Sequence, residues 1–119
     1  MTKILAVDDS RTLREMLFDC LTGAGHEVFT ACDGAEGLIA LREHRPDIVI
    51  TDLNMPVMDG LEFIAAARAE EAGRGVPLLL LTTETAGDLK LRAREVGATG
   101  WLTKPFNGAQ VLSLIDQLA

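Results

Sequence analysis

The chain of 119 residues has the length of a single domain, and its formal net charge of −7 argues against the basic face that nucleic-acid binding requires. Hydrophobic residues make up 48% and charged residues 24%, a balance typical of globular proteins that excludes a wholly disordered chain. The start Met1-Thr2-Lys3 is not an export signal and the longest apolar run, around Leu78–Leu81, is too short to cross a bilayer, so we expect a cytoplasmic protein without membrane insertion.

Five short apolar runs recur along the chain, and each is followed by a longer segment with helical spacing. The runs are Ile4–Val7, Glu27–Ala31, Asp47–Thr51, Leu78–Leu81 and Gly100–Thr103. The third and fourth are continuously apolar at their centres, as parallel strands covered on both faces are. We therefore predict five β-α units in one domain over residues 1–119, with a doubly wound parallel sheet of the α/β class and no effector domain attached.

The segments between the runs carry helix start signals and apolar stripes. Each of four polar residues is followed three positions later by an acidic or amide side chain, the pattern of a helix cap; they are Asp33, Asp59, Thr85 and Asn107. Apolar residues at i, i+3 and i+4 spacing predict the buried faces, and they include Leu13, Met16, Leu17, Leu38, Ile39, Leu41, Val111 and Ile115. Cys20 and Cys32 are predicted to be buried free thiols, because disulfides are rare in the cytosol.

Unusual polar residues follow four of the predicted strands. The first ends in Asp8-Asp9, the third in Asp52, the fourth in Thr82-Thr83 and the fifth in Lys104-Pro105. Ligands of open parallel sheets bind beyond the carboxyl ends of the strands, where the strand order reverses. Taken singly, these residues are ordinary strand ends, a helix cap and a surface lysine. Only their joint placement predicts a site.

The chemistry of this group points to a phosphoryl site that uses magnesium. Three crowded carboxylates repel one another, and a hard divalent cation such as Mg²⁺ relieves that repulsion with oxygen ligands. Mg²⁺ prefers one or two protein carboxylates plus waters and a phosphate oxygen, which leaves one carboxylate as a nucleophile. Asp52 is central among the strands and suits that role. Lys104 and Thr82 can stabilise the charge on a phosphoryl group in transfer.

Four segments together resemble a response-regulator receiver domain, over essentially the whole chain. They are Val7-Asp8-Asp9-Ser10, the run Asp52-Leu53-Asn54-Met55-Pro56-Val57-Met58-Asp59-Gly60, Thr82, and Lys104-Pro105-Phe106. The resemblance implies a five-stranded flavodoxin-like sheet in the order 2-1-3-4-5 with five helices. It also implies that a histidine kinase phosphorylates Asp52, and that Asp9, the Asn54 carbonyl and Asp52 hold Mg²⁺, with Asp8 acting largely through water.

The resemblance further assigns the phosphoryl contacts and the output. Thr82 would donate a hydrogen bond to one phosphoryl oxygen, Lys104 would pair with another, and the peptide bond between Lys104 and Pro105 would be cis. Trp101 would occupy the aromatic switch position that rotates inward on activation, although tyrosine or phenylalanine is commoner there and an exposed edge-strand aromatic is an equally good interpretation. The output face would be the fourth helix, the fifth strand and the fifth helix.

The expected function is a stand-alone response regulator of chemotaxis type, a switch and not a multi-turnover enzyme. Its partners would be a histidine kinase and a downstream protein such as a flagellar motor switch. A phosphorelay intermediate or a phosphate sink would use the same chemistry. From other classes, a flavodoxin-like electron carrier and a phosphatase with Asp52 as nucleophile are the alternatives. The carrier is disfavoured because Asp8 and Asp9 put anions where a flavin phosphate needs free N–H groups.

Overall fold

Five parallel strands alternate with five α-helices in residues 2–84 and 87–118, which are the residues that this computed structural model describes. The strands are β1 (Lys3–Val7), β2 (Glu27–Ala31), β3 (Ile48–Asp52), β4 (Leu78–Thr82) and β5 (Gly100–Thr103). The helices are α1 (Arg11–Gly23), α2 (Gly34–His44), α3 (Gly60–Arg68), α4 (Gly87–Val96) and α5 (Gly108–Leu118), and a 3-10 turn spans Glu71–Gly73. The sheet order is β2-β1-β3-β4-β5, which confirms the predicted fold class.

The strand order reverses at β1, which lies between β2 and β3. Val7 is opposite Ala31 of β2 on one side and opposite Thr51 of β3 on the other. Further along, Asp52 is opposite Leu81 of β4. This reversal leaves a crevice beyond the carboxyl ends of β1 and β3, the place where open parallel sheets bind ligands. We call that end of the sheet the carboxyl edge.

Alternate residues of the central strands supply two cores, one on each face of the sheet. Leu5, Val7 and Leu80 belong to the face covered by α2, α3 and α4, whereas Ile4 and Leu79 belong to the face covered by α1 and α5. All five residues of β3 and of β4 are buried, as expected for strands covered on both sides. Among the helices in the described part of the chain, none is long and apolar enough to cross a bilayer.

The helical stripes are narrower than the sequence pattern predicts. Leu17 and Leu38 are buried, but Met16 is 51% exposed and Ile39 is 58% exposed. Only one side of each helix contacts the sheet, so apolar residues at the edge of its apolar stripe face solvent. Cys20 and Cys32 are free thiols as predicted, but both are only partly buried; the expected full burial was wrong.

Side-chain caps begin the helices where the sequence predicts them. Asp33 accepts from the Glu36 N–H at 2.8 Å, and Asp59 forms a reciprocal capping box with Glu62. Asn107 accepts from the Gln110 N–H at 3.1 Å in the same way. The predicted cap at Thr85 lies outside the described residues. A further cap, Ser10, begins α1 by accepting from the Leu13 N–H at 3.2 Å, which places the helix directly after the acidic pair.

Candidate metal and phosphoryl site

Three carboxylates meet at the carboxyl edge. One oxygen from each of Asp8, Asp9 and Asp52 lies within 4.8 Å of the other two. Asp8 and Asp52 are buried, at 1% and 6% exposure, whereas Asp9 is exposed. Because β1 and β3 are neighbours, their carboxyl ends bring residues 44 positions apart in sequence together, as the sequence predicts. The arrangement concentrates negative charge at one small, partly buried point.

Asp8 is fixed by its backbone and by one carboxylate oxygen. Its N–H donates to the Ala31 carbonyl at 3.0 Å, and its Oδ1 accepts from the Ser10 N–H at 2.9 Å. Its Oδ2 is buried, lies 3.5 Å from the Lys104 Nζ, and has no hydrogen-bond partner among the described residues. Burial raises the pKa of Asp8 above its ordinary value. The hydrogen bond from Ser10 and the charge of Lys104 lower the pKa, but burial outweighs both effects.

Asp52 ends β3 with one carboxylate oxygen already bound. Its Oδ1 accepts from the Leu53 N–H at 2.8 Å and from the Lys104 Nζ at 2.9 Å. Burial raises the pKa of Asp52 and the Asp8 charge adds to the rise, while the bond from Lys104 opposes it. No hydrogen bond to the Asp52 Oδ2 is found in residues 2–84 and 87–118. One oxygen is therefore held and the other is left for new bonds.

Lys104 is the counter-charge of the site. It follows β5, its backbone N–H donates to the Thr82 carbonyl at 2.9 Å, and its peptide bond to Pro105 is cis as predicted. Burial alone would lower the pKa of Lys104. The hydrogen bond to Asp52 and the charges of Asp8 and Asp52 outweigh that effect and raise the pKa, so the ammonium form is stabilised where it bridges the two carboxylates.

The other predicted site residues, Thr82, Asn54 and Trp101, lie around this centre, and no hydrogen bond joins their side chains to its carboxylates in the described residues. Thr82 is buried at the end of β4, and its Oγ1 accepts from the Glu84 N–H at 3.2 Å. Asn54 is exposed, two residues beyond Asp52. Trp101 is half-buried on β5, with the Lys90 Nζ 5.7 Å from its ring centroid. The magnesium contact of Asn54, the phosphoryl contact of Thr82 and the switch role of Trp101 stay predictions.

The loop between β3 and α3 folds back against the phosphoacceptor candidate. The Gly60 N–H donates to the Leu53 carbonyl at 2.7 Å, and a Cβ at Gly60 would lie 2.2 Å from the Asp52 carbonyl oxygen. Val57 turns the loop with a positive φ of 70°, an outlier for a β-branched residue. Only glycine fits at position 60, so Gly60 helps to set the position of Asp52.

The backbone groups that hold the carboxylates, namely the N–H groups of Ser10 and Leu53, are not among the residues predicted from the sequence. Every residue except proline carries such a donor, so no side-chain pattern marks them. The role of Gly60 left one signal, a glycine directly after the capping aspartate Asp59.

The donor set at the carboxyl edge fits a divalent cation. Mg²⁺ takes oxygen ligands and is usually bound by one or two carboxylates together with water and phosphate oxygens. Asp8 Oδ2 is a buried oxygen without a hydrogen-bond partner among the described residues, which is a polar atom that a cation or its water ligand would satisfy. Asp8, Asp9 and Asp52 are therefore the residues that would hold Mg²⁺.

Comparison with known proteins connects this site to a family. The model of the response regulator receiver domain matches residues 4–116. The chemotaxis protein CheY4 of Vibrio cholerae is 46% identical, with a TM-score of 0.96, over 100% of this chain and 99% of that one. A receiver domain of a Pseudomonas aeruginosa sensor histidine kinase, with a magnesium ion coordinated in its active-site cleft, is 26% identical with a TM-score of 0.90, over 98% and 96% of the two chains.

Curated relatives extend the comparison to longer proteins. The transcriptional regulatory protein PrrA of Mycobacterium tuberculosis is 37% identical over 98% of this chain, which corresponds to 49% of that protein. The DNA-binding response regulator MtrA of Mycobacterium leprae is 36% identical over 95% of this chain and 49% of its own length. The chain thus spans about half the length of these relatives.

Proposed function

Because this chain belongs to the response-regulator receiver family, we propose that a histidine kinase phosphorylates it on Asp52 with Mg²⁺ and that the phosphoryl group changes its binding to a downstream protein. The observation that carries the proposal is the asymmetric binding of Asp52. Lys104 and the Leu53 N–H both hold Oδ1, at 2.9 and 2.8 Å, so the other carboxylate oxygen is free to form a bond to phosphorus.

The residues present account for each part of the transfer. A carboxylate oxygen of Asp52 attacks the phosphorus of a phosphohistidine, a phosphorus–oxygen bond forms, and the phosphorus–nitrogen bond breaks with its electron pair going to the imidazole. Bound Mg²⁺ would neutralise charge on the phosphoryl oxygens. Lys104 already lies between Asp52 and Asp8, and it supplies a second positive charge at the same point. Thr82 offers a hydroxyl at the end of the neighbouring strand.

We place the protein among regulators that act as switches and not among multi-turnover enzymes. Asp52 is itself modified, so each phosphorylation ends in an acyl phosphate on the protein. This acyl phosphate must be hydrolysed before Asp52 can react again. Asn54 and Glu84, which lie two positions after Asp52 and Thr82, flank the path of the attacking water and would influence the lifetime of the acyl phosphate. The cytoplasm, where we expect the kinase to act, is the proposed location.

A chemotaxis-type output is the more specific part of the proposal. Its support is the similarity to the Vibrio cholerae chemotaxis protein, which covers nearly all of both chains at 46% identity. The mycobacterial relatives are transcriptional regulators, but the match covers about half of their length. The acidic net charge of −7 favours output through protein contact over output through DNA. A flagellar motor switch protein is the kind of partner proposed.

The proposed output face is formed by α4, β5 and α5. Trp101 of β5 is partly buried and packs against the hydrophobic core to which α4 contributes Leu89 and Ala93. The Lys90 Nζ of α4 lies over its ring, 5.7 Å from the ring centroid. Its indole Nε1 is buried and has no hydrogen-bond partner among the described residues. A rotation of this ring would change both the contact with α4 and the surface presented to a partner.

The first experiment tests modification and site together. Purified protein is incubated with a small acyl phosphate, with and without Mg²⁺, and intact mass and peptide mapping locate the adduct. We expect one acid-stable, base-labile phosphoryl group on Asp52, formed only with Mg²⁺. Asp52→Asn should abolish it, whereas Asp19→Asn, which alters an exposed aspartate of α1, should not. Equal labelling of the wild type and Asp52→Asn would refute the assignment.

The second experiment tests the output. Binding of a flagellar motor switch protein is measured before and after phosphorylation, with Trp101 fluorescence recorded in parallel. A chemotaxis regulator should gain affinity when phosphorylated, and the fluorescence should change at the same phosphodonor concentration. Phosphorylation without any change in motor-protein affinity would favour a phosphorelay intermediate or a phosphate sink. An unchanged fluorescence at full phosphorylation would remove Trp101 from the switch.

A further inference from the structure

Arg14 in the second turn of α1 makes a contact that the chemistry proposed above does not use. Its Nη1 donates to the backbone carbonyl oxygen of Asp8 at 2.7 Å. The residue is half-buried, and side chains on a helix lean toward its N-terminus, which brings the guanidinium back over the start of α1. Arg14 therefore ties α1 to the strand end that carries the acidic pair.

The Asp8 carbonyl needs such a partner. The ladder between β1 and β2 ends with the pair Val7 and Ala31. The Asp8 N–H still reaches the Ala31 carbonyl, but the Asp8 carbonyl lies beyond the last ladder pair. Since Asp8 is only 1% exposed, an unpaired carbonyl at this point would be costly. Arg14 supplies the missing donor through a charge-assisted hydrogen bond, which is stronger than a neutral one.

The same hydrogen bond orients Asp9. The carbonyl of Asp8 and the N–H of Asp9 belong to one planar peptide group, so Arg14 sets the plane of the peptide before Asp9. The peptide after Asp9 is held by Asp8, whose Oδ1 accepts from the Ser10 N–H at 2.9 Å. The Asp9 carboxylate makes no hydrogen bond or ion pair within residues 2–84 and 87–118. Its position is thus determined by the backbone on both sides.

We propose that Arg14 is a positioning residue for the magnesium site: by orienting the peptide between Asp8 and Asp9, it directs the Asp9 carboxylate toward Asp8 and Asp52. This role rests on the function proposed above, since it assumes that Mg²⁺ binds these acids. The bond is made by the protein without metal, so the carboxylate is placed before the cation arrives and less ordering is required on binding.

Positioning and simple charge predict opposite effects of removing Arg14. The guanidinium is a cation bound to the backbone of one of the three aspartates, so loss of its charge alone would reduce the repulsion of Mg²⁺ and tighten binding. Loss of the oriented peptide would weaken binding instead. Groups that orient metal ligands typically contribute roughly 10–100-fold in affinity. The direction of the change therefore separates the two explanations.

Arg11 provides a matched control on the same helix. It lies three residues before Arg14, its side chain is 84% exposed, and it pairs with Glu15 at 3.0 Å and not with Asp8. Arg11→Gln removes the same charge from the same end of α1 and leaves the Asp8 carbonyl bond in place. Arg14→Lys keeps the charge but loses the planar fork that donates to the carbonyl, so we expect it to fall between the wild type and Arg14→Gln.

The test is a titration of the unphosphorylated protein with Mg²⁺, in which binding is measured by calorimetry and by NMR of the backbone amides. We expect Arg14→Gln to bind Mg²⁺ about tenfold more weakly, and the Asp9 and Ser10 amide resonances to shift in the absence of metal. Arg11→Gln should bind as tightly as the wild type or slightly more tightly. Unchanged or tighter binding by folded Arg14→Gln would overturn the proposal, as would equal weakening in both variants.

A measurement on the wild type keeps the proposal testable if Arg14→Gln does not fold. Because its bond to the Asp8 carbonyl precedes Mg²⁺ binding, the Arg14 guanidinium N–H should exchange slowly with solvent in the metal-free protein, and that of exposed Arg11 should exchange fast; a fast-exchanging Arg14 overturns the proposal. Failure of the proposed function looks different, because the wild type itself would then bind no Mg²⁺ and accept no phosphoryl group.

Discussion

Replacement of Gly60 by alanine should both destabilise the fold and disturb the phosphoacceptor. The added Cβ would lie 2.2 Å from the Asp52 carbonyl oxygen, 2.9 Å from the Leu53 Cα and 3.0 Å from the Asp52 carbonyl carbon. All three are backbone atoms of β3 or its exit, so no side-chain rotation relieves the contact. Real Cβ atoms essentially never come within 3.0 Å of another heavy atom, so the oxygen and the Cβ must separate by at least 0.8 Å, the difference between 3.0 and 2.2 Å.

The magnitude follows from what that separation breaks. The Gly60 N–H to Leu53 carbonyl bond, at 2.7 Å, must lengthen or be lost, which costs about 1–3 kcal/mol for a buried pair. Overpacking adds about 1–3 kcal/mol, and alanine at a helical position returns roughly 0.5–1 kcal/mol. The expected net loss is about 3 kcal/mol, or a melting temperature lower by roughly 10 °C.

Gly87 is the matched control. It is the first residue of α4 as Gly60 is of α3, and a Cβ there has no atom within 4 Å in the described part of the chain. Urea unfolding and Mg²⁺ titration are measured for both alanine variants. Gly60→Ala should lose stability and bind Mg²⁺ more weakly because Asp52 moves, and Gly87→Ala should be neutral or gain about 0.4–1 kcal/mol. Equal stability of the two variants would refute the close approach.

Three further outcomes depend on titratable groups. Asp52→Asn should stabilise the metal-free fold at neutral pH, because burial raises the pKa of Asp52 above 3.8 and makes its charged form costly. Thermal melts should show that this gain in stability vanishes below pH 3.8, where the carboxyl group is neutral in both states. A gain that persists below pH 3.8 would contradict this cause. Lys104→Met should be less stable than the wild type at neutral pH. Since the pKa of Lys104 is raised above 10.5, the difference in stability should shrink only as the pH rises above 10.5 and through that raised value. A difference in stability that is independent of pH up to 12 would contradict the ion pair. The Cys32 thiol donates to the Glu36 carboxylate at 3.0 Å, and this bond raises the pKa of the thiol. In a Cys20→Ser background, Glu36→Gln should therefore speed alkylation of Cys32 at pH 8 severalfold. An unchanged alkylation rate would exclude that bond as the cause of the raised pKa.

The sequence was sufficient for the fold class and for predicting that three acids and one lysine come together at the carboxyl edge. Continuous apolar strands alternating with amphipathic segments specify a parallel sheet with helices on both faces, because only that arrangement buries both sides of β3 and β4. Parallel strands place all their carboxyl ends at one edge. The acids at the ends of β1 and β3 and the lysine after β5 therefore lie at the same edge of the sheet.

The sequence did not predict which apolar residues at the edge of each helical stripe are exposed to solvent. Met16 and Ile39 follow the same spacing as their buried neighbours, yet both are more than half exposed. The spacing reports which side of a helix faces the sheet, but the width of the contact depends on how the helix sits against its neighbours. That arrangement is a property of the packed molecule.

What the sequence determined by itself is which chemical groups reach the carboxyl edge, since strand periodicity and strand ends are local properties of the chain. What only the tertiary structure decided is how those groups are held. The bond from the Asp8 N–H to the Ala31 carbonyl, the bond from the Arg14 guanidinium to the Asp8 carbonyl and the close approach of Gly60 to β3 all involve the backbone. Backbone groups are the same in every residue, so their partners are selected by three-dimensional distance and direction, which no side-chain pattern records.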